Sequence, residues 1–359
     1  MADAPAAEYQ IALLELAFDA ASAMPLNPHI KNRSKAQAQV VETAFELDQP
    51  KRVLAYAEQI ADWRRALGIA RYAEQAAKRG LTPEAQSQMD RAQEIADHPI
   101  EENPQDWHRE RILMAIARAR HAADSRAGVP PAALSESEFD ARASELETSI
   151  LTSNLDQARA ALEKCVVLYG DSFGDQSRRE RLATKVTASI YKLPLTIQVE
   201  SLCQLGEVAV EHGDAAQGRE FAKLARERYD SASWTPQYGL PLVACIAKLR
   251  HGAGEQERAR KELDEGLAWF EQERAKLPDV FRAGALRPVA EALVAMGDAA
   301  AAAAMYARAV EEGSANPNSR PRAEDLVATC CSMAIQRVEP NTALWARLRA
   351  IRSALADPW

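Results

Sequence analysis

One short pattern recurs along this chain and limits what it can fold into. Leu205-Gly206 lies in a helical run, Gly213-Asp214 breaks it, and a second run sets Gly218, Ala222 and Ala225 on one face. Near Gly297 the order is Val289-Ala290, Gly297-Asp298, then Ala302, Tyr306 and Ala309. Around Gly254 it is Ile246-Ala247, Gly254, then Ala259, Leu263 and Gly266. Repeated helix-turn-helix units of this kind cannot each bury an apolar face alone, so they stack as helical hairpins. The small side chains at matched places let helix axes approach closely.

Composition fits that reading. Of 359 residues, 47% are hydrophobic but only 6% aromatic, and much of the apolar content is alanine. That is enough to bury a core, and it suits closely packed helices. No segment alternates β-branched or aromatic residues over a useful length, as a strand would, so the expectation is an all-α chain, a solenoid of stacked antiparallel hairpins over 1–359. With Lys+Arg 44 against Asp+Glu 52, the net charge of -8 argues against nucleic acid as a partner. No stretch is apolar enough to span a membrane, and no membrane partner is expected. Cys165, Cys203, Cys245, Cys330 and Cys331 are odd in number with no CxxC spacing, which reads as thiols rather than a disulfide framework. They favour a reducing compartment, and hence a cytoplasmic location. The alternative is an exported chain whose signal peptide has been removed ahead of the small residues Ala2 to Ala7.

Taken in order, helices are predicted from Ala6 to Ala23, from Ser34 to Leu47, from Pro50, from Asp62, from Thr82-Pro83, and from Asn103-Pro104 to about Asp124. Ser125 to Leu134, with Gly128, Pro130 and Pro131, is the best linker, and Tyr169 to Gln176 is a second loop. These two places, 125–134 and 169–176, are the expected kinks or breaks in the array. Ser135 with Glu138 forms a capping box at the start of the next helix. Pro236 with Pro241, and Pro278 with Pro288, are expected to bracket the entries to the Gly254 and Gly297 repeats.

The pattern resembles a tetratricopeptide-repeat protein, whose unit is a hairpin of about 34 residues with a Leu-Gly pair, a Gly before the turn, and Ala, aromatic and Ala in its second helix. Leu205-Gly206, Gly213, Gly218 and Ala225 match in order, as do Gly297, Ala302, Tyr306 and Ala309. Leu67-Gly68 with Ala85, Met89 and Ala92 match with a lengthened turn, and the best matches lie within 198–315. The resemblance implies a right-handed superhelix whose first helices line a concave groove for a protein or peptide. By that analogy Lys248 and His251, with Arg287 and Glu291, face the groove.

A second candidate surface comes from the residues themselves. His29, Lys31 and Arg33 lie near one helix start, and Trp63, Arg64 and Arg65 near another. Arginines at a helix N-terminus oppose the macrodipole, so an acidic partner or anion is one explanation. The plainer one is that Trp63 staples the hairpin and the arginines pair with Glu58 or Asp62. Arg178, Arg181, Lys185 and Lys192 share one helix face, either a wet face or a site for an acidic segment. Of Cys330 and Cys331, one is expected in the core and the other partly exposed. The tail Asp357-Pro358-Trp359 is expected to pack over the last hairpin.

The six histidines form no HExxH pattern, and the chain has no GxSxG, P-loop or dinucleotide fingerprint. The reading is therefore a non-catalytic scaffold that takes no cofactor and no metal, with a protein or peptide partner whose identity the sequence leaves open. The alternatives are an assembly module that forms a homodimer through its terminal hairpins, and an all-α enzyme with an unrecognised site.

Overall fold

A computed structural model describes residues 1–101, 104–126 and 134–359. Every regular element among them is helical, with no strand. The start expected at Asn103, and most of the linker expected over 125–134, lie outside the described residues. No helix among the described residues is long and apolar enough to cross a membrane. The chain divides into two compact units, 1–132 with 306–359 and 133–305.

The first unit holds α1 (Glu8–Ala23), α2 (Leu26–Glu46), α3 (Pro50–Ala57), α4 (Arg64–Lys78), α5 (Thr82–Asp97) and α6 (Asp106–Arg126), together with α16 (Ser319–Ile335) and α17 (Thr342–Ser353). Helix α4 packs on α5 and α6, and α1 packs on α2 and, far along the chain, on α16. Leu13, Leu14 and Ala17 of α1 are buried. The Gln10 side-chain amide donates to the Ala334 carbonyl at 2.8 Å, and Arg352 pairs with Asp19 at 2.7 Å. The last pair of helices thus seats on the first. The tail folds back as expected, with the Ser319 amide donating to the Pro358 carbonyl at 2.8 Å. Cys330 and Cys331 are both buried, against the expectation of one exposed thiol, because α16 has neighbours on two sides, α1 and α2.

The second unit holds α7 (Glu136–Thr152), α8 (Leu155–Asp171), α9 (Gln176–Ser189), α10 (Leu195–Glu211), α11 (Ala215–Asp230), α12 (Pro236–Gly252), α13 (Gln256–Glu273) and α14 (Asp279–Ala295). Helix α15 (Ala299–Ser314) spans the division at Tyr306. The pairs α10–α11 and α12–α13 are hairpins, and the first helices α8, α10, α12 and α14 pack in sequence. The second expected loop shrinks to a turn after Asp171, because Tyr169 is still helical and fully buried.

The recurring glycine is explained by one backbone turn. Gly213, Gly254 and Gly297 have φ of 85°, 89° and 78°, the left-handed region that ends a helix without a Cβ clash. At the first, the Gly213 amide donates to the Val210 carbonyl and the Asp214 amide to the Ala209 carbonyl, both at 2.9 Å. The Asp214 side chain then accepts from the Gln217 amide at 3.0 Å and caps the second helix. Asp298 does the same for the Ala301 amide at 3.1 Å. Gly-Asp is therefore both the stop of one helix and the start of the next. Asp48 and Arg337 adopt the same turn at φ 52° and 56° without glycine, which is why the pattern faded there.

Close approach explains the small residues within the helices. A methyl group added at Gly206 would lie 2.5 Å from Leu249 Cδ2, and one at Gly218 2.6 Å from Val210 Cγ2. Successive first helices begin at Leu195, Pro236, Asp279 and Ser319, so the spacing is 41, 43 and 40 residues. It exceeds the 34-residue tetratricopeptide period because α10 to α13 are 16–18 residues each. Pro241 and Pro288 lie inside α12 and α14 rather than ahead of them. Each removes one helical hydrogen bond, leaving the carbonyls of Gln237 and Gly284 without their usual N–H.

Candidate functional site

The recurring small-residue pattern aligns one face of α10, α12 and α14. Matching Leu205-Gly206 to Ile246-Ala247 and Val289-Ala290 puts Glu207, Lys248 and Glu291 at one level and Ile197, Tyr238 and Phe281 at another. Along α12 the face carries Tyr238, Pro241, Cys245 and Lys248, spaced by three or four residues as one helical stripe requires. Contacts between helices agree with this alignment. Lys248 Nζ lies 3.0 Å from Glu207 Oε1, and the rings of Tyr238 and Phe281 approach to 6.1 Å between centroids.

Lys248 is half-buried, and burial works against its charge. The facing Glu207 carboxylate, with Glu291 further off, outweighs that cost and holds the ammonium above its ordinary range. Glu200, one turn earlier on α10 than Cys203, is pushed upward by burial and drawn back by Arg159. Arg287 and His251 are half-buried on the same helices. The face is thus a strip with an aromatic end at Tyr238 and Phe281 and a charged end at Lys248. It offers cation, carboxylate and ring groups to an extended chain.

The other predicted cluster does not assemble. Among the described residues, no hydrogen bond, ion pair or ring contact joins His29, Lys31 or Arg33 to Trp63, Arg64 or Arg65. The helix expected to begin at Ser34 already runs through His29–Arg33 as the kinked start of α2. Arg33 donates to the Met24 carbonyl at 3.0 Å, and its neighbour Asn32 to Glu324 at 3.0 Å. Arg64 pairs with Asp62 and lies 4.8 Å over the Trp63 ring, while Arg65 donates to the Ile60 carbonyl at 2.7 Å. Trp63 is buried, stacked 4.8 Å from His108, and His108 pairs with Glu101 at 2.5 Å. The cavity beside them is about 20 Å³, room for about one water. The plainer reading of these arginines is the one the geometry supports. Glu58 pairs with Arg91 instead.

The basic row on α9 is also matched from within. Arg178 and Arg181 meet Glu136 at 2.9 and 2.6 Å, and Lys185 meets Glu147 at 2.6 Å, both carboxylates being on α7. Tyr238 and Phe281 escaped the sequence reading. Their signal is the register, since each is the third residue of its helix, where the preceding repeat has buried Ile197.

No protein-family model, no curated protein and no solved structure matches the chain. Its function has to be read from the site.

Proposed function

We propose that the face formed by α10, α12 and α14 docks an extended segment of another protein, and that the chain is a non-catalytic helical-repeat scaffold. The observation that carries this reading is the row Glu207, Lys248 and Glu291, one charged group from each of three successive repeats, with Lys248 held charged while half-buried. A strip of that kind presents alternating charge along its length, as a backbone with spaced side chains would need. The rings of Tyr238 and Phe281 supply apolar contact area at little entropic cost. Self-association through the end hairpins has less support, because α16 is already packed on α1 and α2.

The test is to select peptides from a random display library on the full chain and measure their affinity for variants. A hydrogen bond to a charged group contributes about 1.5–3 kcal/mol, so Lys248→Glu is expected to weaken the selected peptides at least about tenfold. Lys31→Glu, on α2, is expected to leave them unchanged. Equal binding by wild type and Lys248→Glu, with the helical spectrum intact, would assign the peptides to another surface.

A further inference from the structure

Two thiols lie near the charged end of this face, Cys245 on it and Cys203 buried. Cys203 on α10 is fully buried and Cys245 on α12 is half-buried. Cys245 is the neighbouring side chain that acts most strongly on the Cys203 thiol. An ion pair shows the same two helices meeting one turn further on. Glu207 and Lys248, one turn beyond each cysteine, meet at 3.0 Å, and α10 packs directly on α12. Neighbouring thiols on helices packed this closely are the starting geometry for a disulfide.

We propose that Cys203 and Cys245 are a covalent modification site, closing to an intramolecular disulfide that staples α10 to α12 when a small-molecule disulfide oxidant is present. The two cysteines have unequal roles. Cys203 is fully buried and Cys245 half-exposed, so Cys245 is the entering nucleophile; the Cys245 side chain and burial together push the Cys203 thiol well above its ordinary range. Its thiolate attacks one sulfur of glutathione disulfide, forming a mixed disulfide and releasing one glutathione. Cys203 then attacks the Cys245 sulfur, the mixed S–S bond breaks, and the second glutathione leaves. Two protein thiols are oxidised, one glutathione disulfide is reduced, and the two thiol protons end on the two glutathiones.

The remaining cysteines do not share this arrangement. Cys165 is an isolated core thiol that burial pushes up to about 12. Cys330 and Cys331 are adjacent on α16, where successive side chains diverge.

The inference is independent of any ligand for the face. The full-length protein is incubated with glutathione disulfide, then denatured, alkylated and mapped by mass spectrometry. The expected product is two hydrogens lighter than the reduced chain, with the Cys203 and Cys245 peptides linked. Cys203→Ala is expected to stop at one glutathione on Cys245, and Cys245→Ser to form neither species. The wild-type map decides even if the buried Cys203 variant folds poorly. Glutathione persisting on wild-type Cys245, a bond through other cysteines, or two unmodified thiols in the folded protein would each overturn the proposal. Failure of peptide binding would leave the result untouched.

Discussion

Replacing Arg250 by alanine is expected to lower the free energy of unfolding by about 3–5 kcal/mol, the cost of breaking a buried ion pair from one side. Arg250 is 1% exposed, the largest fully buried side chain among the described residues. Its Nη1 donates to Glu255 at 2.6 Å, and its Nε lies 2.9 Å from Glu262. The second approach is too bent for a hydrogen bond and acts through charge alone. Both carboxylates belong to the following turn and helix, so the guanidinium ties α12 to α13 from inside. Arg258 reaches the same carboxylates at 3.7 and 3.1 Å, but is 56% exposed. Arg258→Ala is therefore expected to cost under about 1 kcal/mol. Urea unfolding followed by circular dichroism separates the two. Equal losses would mean that burial does not set the strength of this network.

Leu14→Ala is expected to cost about 2–5 kcal/mol, the range for emptying a packed leucine site. Leu14 is wholly buried on α1, which packs on both α2 and α16. If α1 and α16 form one cooperative joint, the substitution should lower hydrogen-exchange protection in both helices together, although 295 residues separate them along the chain. Loss confined to α1 would show that the joint is not cooperative. Leu26→Ala, at a side chain 47% exposed, is expected to stay within about 0.5 kcal/mol of wild type.

The hairpins were legible because their signals are local. Gly213-Asp214 and Gly297-Asp298 fix a left-handed stop and an aspartate cap within two residues, and no distant contact is needed to read them. Asp48 and Arg337 make the same turn with side chains that carry no such signature, so those hairpins faded into the background. The joint between α1 and α16 left no trace in the sequence, because the amide of Gln10 and the carbonyl of Ala334 are polar groups like many others. The prolines misled for a related reason. Pro241 and Pro288 look like helix boundaries, yet α12 and α14 run through them. At the candidate site, Lys248 and Glu291 were named through the family resemblance. Tyr238 and Phe281 were not, because aromatic residues near a helix start are ordinary core anchors, and only the three-helix alignment sets them at one level.

The central claim is that small side chains at matched positions let neighbouring helices nest, and two glycines in the second unit test it most directly. In an ordinary helix, glycine to alanine stabilises by about 1 kcal/mol. Gly284→Ala should show that gain, since the new methyl group would meet only Arg287 Nη2 at 3.5 Å. Gly206→Ala should reverse the sign, because its methyl group would overlap Leu249 at 2.5 and 2.8 Å, and overpacking of this kind costs about 1–3 kcal/mol. Opposite shifts of the two urea midpoints are the expected result. A Gly206→Ala protein as stabilised as Gly284→Ala would contradict the nesting of these hairpins.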